Sequence, residues 1–428
     1  MKANVIHGDF NPCGGAERLS LLTMYALLEM GIQFDLTTLK SPDISKLERS
    51  FGKNLVSVMR AINRISVINI IEVLRRQQYG NENYNYDITI NTNGDAAPYY
   101  HSSFSKENTI TYCHFPSTKY HIESQNMDYL KTDLGMTEES NDFSDVRNYE
   151  DINNQKGCTT KIQFRRKSEY YEILKYGYLN LMRSSTVITN SEFSRRAIAS
   201  ALGLDNIHVL SPPIDIETFR NIALMPNCDN ERDDIILVIS RIAPHKEIEN
   251  AIKLAKILKD NNIGKGMKIV GNLYYYFFDY YSELKEMVLH LGLTDYITFE
   301  INASLDKLLS TIRESKVYFH PKIGEHFGVA VLEAMTAGLI PVVPNEGGLT
   351  EFVPKEYQFN SIEHAAQLIN YFFDHFPKIK RVKISDNINE FSNSHYTKGF
   401  QTILYELLFK EGNNSLLNKR DDKFRESF

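Results

Sequence analysis

The chain has 428 residues, 42% of them hydrophobic and 24% charged, with a formal net charge of -6. That length suits two or three domains of ordinary size, each able to bury its own core. The balance is that of a soluble globular protein, and the negative charge argues against a general nucleic-acid binder. Cys13, Cys113, Cys158 and Cys228 lie far apart and form no CxxC pair, so neither a zinc site nor a disulfide framework is indicated. No apolar run reaches the roughly 18 residues of a membrane span, and Met1 to Ile6 enters a strand rather than a signal peptide, so the expected location is the cytoplasm.

Strand-like and helix-like segments alternate, which predicts parallel sheets covered by helices. Ala3 to His7 reads as the first strand. A loop with Gly14-Gly15 follows, then a helix from Ala16 to Met30 with Leu19, Leu22, Ala26 and Met30 on one face, ended by Gly31. Phe34 to Leu39, Asp87 to Asn91, Thr109 to His114 and Thr186 to Asn190 supply further strands. Met59 to Gln78 sets Ile62, Ile65, Ile68, Ile70, Ile71 and Leu74 among Arg60, Arg64, Arg75 and Arg76, a basic amphipathic pattern that suits a core-facing helix or an anionic bilayer surface. Phe164 to Met182, with Arg165, Arg166 and Lys167 beside Tyr170, Tyr171, Tyr176 and Tyr178, invites the same two readings. Gln125 to Lys156 carries eight acidic residues against three basic ones and is expected to be a polar loop or lid.

A break falls at Ser211-Pro212-Pro213-Ile214-Asp215 and continues through Pro226 to Asp234. A second series then opens with the strand Ile235 to Ile239 and continues with Lys268 to Val270, Ile297 to Phe299, Val317 to His320 and Leu339 to Val343. Two Rossmann-like, doubly wound α/β halves joined by a linker are predicted, with ligand at the carboxyl ends of the strands. The expected division is 1–212, 213–400, and a final helix and tail over 401–428.

Several short motifs sit at such strand ends. Gly14-Gly15 can let a backbone approach a bulky anion at a helix start, or simply form a tight turn. No Gly-Lys-Ser/Thr follows, so it is not a Walker P-loop. His114, in Tyr112-Cys113-His114-Phe115-Pro116, is either a packed residue or a cleft imidazole. Arg241 and Lys246, in Ser240-Arg241-Ile242-Ala243-Pro244-His245-Lys246, are surface charges or a pair converging on one diphosphate, Arg by its planar fork and Lys as a point charge. Glu325 and Glu333 lie eight residues apart across a strand, a loop and a helix from Val329 to Ala337 that Gly338 ends. They are either a cap and a solvated helix residue, or two carboxylates flanking amides that can receive a phosphate. Asn190-Ser191 suits a helix cap and Pro213 a stiff linker, while Gly271 and Gly347-Gly348 read as turns or backbone contacts.

Glu325-His326-Phe327-Gly328 through Leu332-Glu333-Ala334-Met335, followed by Gly347-Gly348, resembles the signature of glycosyltransferase family four, the group 1 glycosyltransferases. These are retaining enzymes of the GT-B fold, with two Rossmann-like domains facing across a cleft. The likeness runs from about Ile6 to about Leu408, with every motif in family order. It implies an acceptor-side domain over 1–212 and a nucleotide-sugar domain over 213–400. It also implies that Glu325 meets the donor sugar, Glu333 the ribose, and Arg241 and Lys246 the diphosphate. Phe327, Gly328 and Val329 would line the donor, Gly14 and Gly15 would cover its phosphates and sugar, and His114 would stabilise charge that develops beside the transferring sugar. Gly14-Gly15-Ala16-Glu17-Arg18-Leu19, Tyr112-Cys113-His114-Phe115-Pro116 and Glu325-His326-Phe327-Gly328 look like the mannosyltransferases that extend dolichol-linked oligosaccharides. The resemblance therefore implies mannose transfer from GDP-mannose to a lipid-linked or other glycan acceptor, with peripheral contact at the cytoplasmic membrane face. Alternatives are a UDP-sugar transferase of glucose or N-acetylglucosamine, a nucleotide-sugar epimerase of the same fold, and a non-catalytic scaffold subunit. No Asp-x-Asp occurs in the chain, so no metal ligand is assigned and no divalent metal is expected to be required.

Overall fold

The computed structural model describes residues 1–68, 86–94, 108–123, 178–179, 181–225, 232–376 and 388–410. The chain divides into two compact units. One comprises Met1–Thr189, Arg195–Leu210 and the chain from Thr397 on, and the other comprises Asn190–Ser194 and Ser211–Tyr396.

The first unit is built on β1 (Lys2–Ile6), β2 (Gln33–Thr38), β3 (Ile65–Val67), β4 (Ile88–Asn91), β5 (Thr109–Tyr112), β6 (Thr186–Thr189) and β7 (Ile207–Val209), all parallel, in the order β3-β2-β1-β4-β5-β6-β7. β1, β4 and β5 are buried almost throughout, as expected of parallel strands covered on both faces. The strand order reverses between β1 and β4. That reversal is a topological switch point, where the loops after two neighbouring strands part and leave a crevice. The helix Gly15–Glu29 follows β1 and buries Leu19, Leu22 and Ala26 as its periodicity predicts. Gly31, at φ +68, ends it in the left-handed conformation that glycine adopts freely.

The second unit carries β8 (Asp233–Ile239), β9 (Gly266–Gly271), β10 (Ile297–Ile301), β11 (Ser315–Phe319), β12 (Ile340–Pro344) and β13 (Gln358–Phe359) in the parallel order β10-β9-β8-β11-β12-β13. Its switch point lies between β8 and β11. Ile236, Leu237 and Val238 of β8 and Val317, Tyr318 and Phe319 of β11 are fully buried and join one continuous core with Val342 and Val343 of β12. Both Rossmann-like halves are thus present, and the α/β class is as expected.

The helical reading of Met59 to Gln78 does not hold over its first ten positions. Ser57–Ala61 is a single 3-10 turn, and Ile65–Val67 pairs with Leu36–Thr38 as the edge strand β3. Two β-branched residues flank Ser66, an alternation that fits a pleat better than a helix face. Ile65 and Val67 are left 44% and 55% exposed. The rest of that stretch, the Gln125–Lys156 insertion and most of Phe164 to Met182 lie outside the described residues. The short strands β3, β7 and β13 were not anticipated, being too brief for a periodic signal.

Candidate functional site

Two clusters of polar side chains stand at the two switch points. In the second unit, β8 runs into Ser240 and a 3-10 turn, Pro244–Lys246, that leads to the helix Ile248–Asp260. β11 runs into His320, Pro321 and the loop before the helix Val329–Thr336. The two loops meet through charge. Lys246 Nζ donates to Glu325 Oε2 at 2.7 Å, and His320 Nε2 stands 3.5 Å from the same oxygen. The His326 amide donates to Glu325 Oε1 at 3.2 Å. Asn250 Nδ2 donates to the Pro321 carbonyl at 3.1 Å, and the Ile323 amide donates to Glu247 Oε2 at 3.3 Å, so the loop carrying Lys322 is held on both sides.

Glu325 is only 8% exposed. Burial alone would raise its pKa, but Lys246, His320 and Lys322 overcome this and hold the carboxyl well below its ordinary range. Burial lowers Lys322, with Lys246 and Arg241 adding to the effect and Glu325 opposing it. His245 keeps an exposed edge, yet desolvation of the ring and the cations Arg241, Lys246 and Lys322 push it down to about 3. Lys246 and Lys322 therefore act on the Glu325 carboxylate, and Arg241 and Glu247 stand close to Lys322. Such a site suits an anionic ligand. Arg241 itself is exposed.

The backbone around Glu325 is equally constrained. Glu325 bridges Gly347 in parallel fashion, and the Gly348 amide donates to its carbonyl at 2.8 Å. A Cβ at Gly348 would lie 2.0 Å from the His326 carbonyl oxygen, and one at Gly347 2.5 Å from that of Glu325. The glycine pair is therefore required by close packing of two backbones. Gly328, at φ +96, caps the helix Val329–Thr336, and Glu333 lies on that helix, partly exposed. Phe327 was expected to line a ligand. Its ring is instead 5% exposed and packs on Phe352 and Phe391 at 5.4 and 5.9 Å between centroids, so it anchors the loop from below.

Lys322 and His320 were not singled out from the sequence. A lysine three residues before Glu325, just past a strand end, was the available signal. Asn190-Ser191 also proves more than a cap, because Ser191 Oγ donates to the His326 carbonyl at 2.7 Å, and Glu351 accepts from the Glu192 and Phe193 amides at 3.0 and 2.7 Å.

In the first unit, the loops after β1 and β4 and the first turn of the helix Gly15–Glu29 bring His7, Thr92 and Glu17 together, with His114 beyond β5. The backbone at Gly14 is extended, at φ -104, while Cys13 takes the left-handed conformation at φ +55. Gly14 is needed for space rather than for its φ, since a Cβ there would lie 3.0 Å from Glu17 Oε2. Burial pushes the His114 imidazole down to about 4, with His7 adding to the shift and Glu17 opposing it. His114 is therefore neutral near physiological pH and can act as a hydrogen-bonding group. Among the described residues, no group of three or more His, Cys, Asp or Glu could hold a metal ion.

Comparison with known proteins adds the family. Residues 226–390, which contain Arg241, Lys246, Glu325 and Glu333, match the model of glycosyl transferases group 1. That match lies within the second unit. The chain is 25% identical over 232 residues to a protein of Dictyostelium discoideum called GDP-Man:Man(3)GlcNAc(2)-PP-Dol alpha-1,2-mannosyltransferase, over 50% of this chain and 46% of that one. It is 28% identical over 199 residues to the mouse (Mus musculus) protein of the same name, over 44% and 40% respectively. The chain thus spans about half the length of the curated relatives it matches. Among solved structures, Anabaena HepE with UDP and glucose superposes with a TM-score of 0.65 at 15% identity, covering 95% of this chain and 99% of that one. A glycosyltransferase from Rickettsia africae gives 0.62 at 15%, covering 95% and 98%. These structures share the two-domain α/β fold of this chain.

Proposed function

We propose that the chain is a retaining hexosyltransferase that transfers mannose from GDP-mannose to a lipid-linked glycan. The observation that carries the reading is Glu325, a buried carboxylate at the switch point of the second unit, held by Lys246 with Lys322 close by. A carboxylate fixed beside cations suits a ligand that joins a polyhydroxylated sugar to a diphosphate, because the cations take the phosphates and the carboxylate accepts from sugar hydroxyls. Arg241 and Lys246 are assigned to the diphosphate, with Lys322 beside them, and Glu333 to the ribose. Gly328 and Val329 offer amides at the start of their helix. In the first unit, Gly14 and Gly15 are assigned to donor contact and the neutral His114 to stabilising charge on the sugar.

As the sugar-phosphate bond breaks, negative charge grows on the leaving diphosphate, and cations already in place stabilise it without reorganising. The acceptor hydroxyl attacks from the same face and yields its proton to the leaving phosphate, which accounts for retention. Preference for mannose and for guanine is supported by the names of the curated relatives. The UDP in the HepE structure supports a UDP-sugar as the second reading. Membrane contact is proposed as peripheral; among the described residues no helix is long and apolar enough to cross a bilayer.

The test is a thermal-shift screen of GDP, UDP and ADP sugars, followed by transfer of labelled mannose to a lipid-linked oligosaccharide. GDP-mannose is expected to raise the melting temperature most, and transfer is expected to persist in chelator. Stabilisation by UDP-glucose alone would favour the second reading. Isomerised sugar without acceptor would indicate an epimerase.

A further inference from the structure

The mechanism above uses Gly14, Gly15 and His114 but leaves a buried network beside them unexplained. His7 is 2% exposed and Glu17 8%. One Glu17 oxygen accepts from the Gly14 amide, and the other stands 3.4 Å from His7 Nε2. His7 Nδ1 lies 3.2 Å from Thr92 Oγ1, which in turn lies 2.8 Å from Ser20 Oγ and 3.0 Å from the Ile6 carbonyl oxygen. The Thr92 backbone is in hydrogen-bond reach of the His114 ring. A continuous chain of polar contacts therefore runs from the glycine loop to His114.

Helix capping does not account for this arrangement. A capping glutamate works as well at the surface, and capping one turn returns less than burying a carboxylate costs. The burial of Glu17 makes sense if its second oxygen also has work, and that oxygen faces His7. We propose that Glu17 and His7 are positioning residues for the transfer reaction: Glu17 holds the Gly14 amide with one oxygen and fixes the His7 ring with the other, and His7 passes that constraint through Thr92 to His114. His7 Nε2 is buried without a hydrogen-bond partner at its 3.4 Å approach to Glu17; a carboxylate can only accept, so the assignment requires the proton on Nε2, with Thr92 donating to Nδ1. Loss of Glu17 would free both the loop and the ring at once. The kinetic part of this assignment rests on the proposed function; the structural part does not.

Three measurements test it on the full chain. Long-range proton–nitrogen correlation spectra of the unsubstituted protein should show His7 protonated at Nε2; a bare Nε2 overturns the assignment. Glu17→Gln keeps the shape of the side chain and removes the charge. It should lower kcat for mannose transfer on the order of tenfold or more, as loss of an orienting partner does, with KM for GDP-mannose little changed. Among the described residues, the titratable groups acting on His114 are His7 and Glu17, and His7 lowers it, so His7→Gln should move the His114 titration upward. Folded variants with wild-type kcat and an unmoved His114 titration would refute the proposal. If Glu17→Gln fails to fold, the spectrum of the unsubstituted protein still decides. If the wild-type chain transfers no sugar, the proposed function fails, while the tautomer and the titration remain readable.

Discussion

The two switch points share a topology and differ in their chemistry. At β8/β11 two lysines act on one buried carboxylate, and the closest contact is a 2.7 Å ion pair. At β1/β4 a carboxylate, two imidazoles and two hydroxyls follow one another at short range. The same parallel topology thus carries a lysine-rich cluster in one unit and a cluster of imidazoles, hydroxyls and a carboxylate in the other. The crevice comes from strand order; the residues at the strand ends decide what it can do.

The largest expected effect probes how tightly each loop is packed. Gly348→Ala would place a methyl group 2.0 Å from the His326 carbonyl oxygen, a backbone atom that cannot swing aside. It should destabilise the second unit by about 3 kcal/mol or more, seen as an earlier calorimetric transition with loss of transfer. Gly14→Ala meets only the end of the Glu17 side chain at 3.0 Å, and should cost about 1 kcal/mol. Equal losses would break the contrast.

Removing charge should separate the units next. Lys246→Met strips Glu325 of its nearest partner and leaves a buried carboxylate less compensated, at a cost of about 3 kcal/mol in chemical denaturation.

Acidification sharpens the comparison further. His114 folds with a pKa of about 4 instead of 6.5, so the unfolded chain takes up its proton first and stability falls as pH drops from 6.5 toward 4. His245 and His320 are lowered likewise, so the second unit loses stability in the same direction. Glu325 has the opposite chemistry: its contribution is present above its ordinary 4.5 and is lost only as pH falls through its much lower folded value. Stability measured against pH should therefore fall in two stages, and His114→Asn should reduce the upper one. A single carboxylate-range transition would contradict this.

The smallest structural effect is expected at Arg241. It is exposed, so Arg241→Ala should change stability by less than about 0.5 kcal/mol. Loss of a charge-assisted contact should nonetheless weaken donor binding on the order of tenfold, read by calorimetric titration. Unchanged affinity would remove Arg241 from the diphosphate.

Much of this was legible from residue order. Long apolar strands such as Ile235 to Ile239, and the helix ending at Gly31, carry their period and punctuation in the text. Glu325, Arg241 and Lys246 stood out because each follows a strand end in a recognisable motif. Lys322 and His320 did not, since a lysine or histidine at such a place has no spacing rule of its own. Their importance comes from sharing Glu325. Phe327 was read as a ligand contact because it sits inside the motif, and only the packing of Phe352 and Phe391 shows where its ring goes. Arg60 and Arg64 suggested a basic helix, until pairing of Ile65–Val67 with β2 claimed that stretch for the sheet.

By itself the sequence determined the class of the fold, the alternation of strands and helices and the positions of the charged motifs, because periodicity and turn chemistry are local. Tertiary structure decided which strands neighbour one another, and so where the switch points fall. It alone brought Lys246 to Glu325 and joined His7 to Thr92. Those pairings are contacts between residues far apart in the chain, and no local pattern encodes the burial and distance that set their charge.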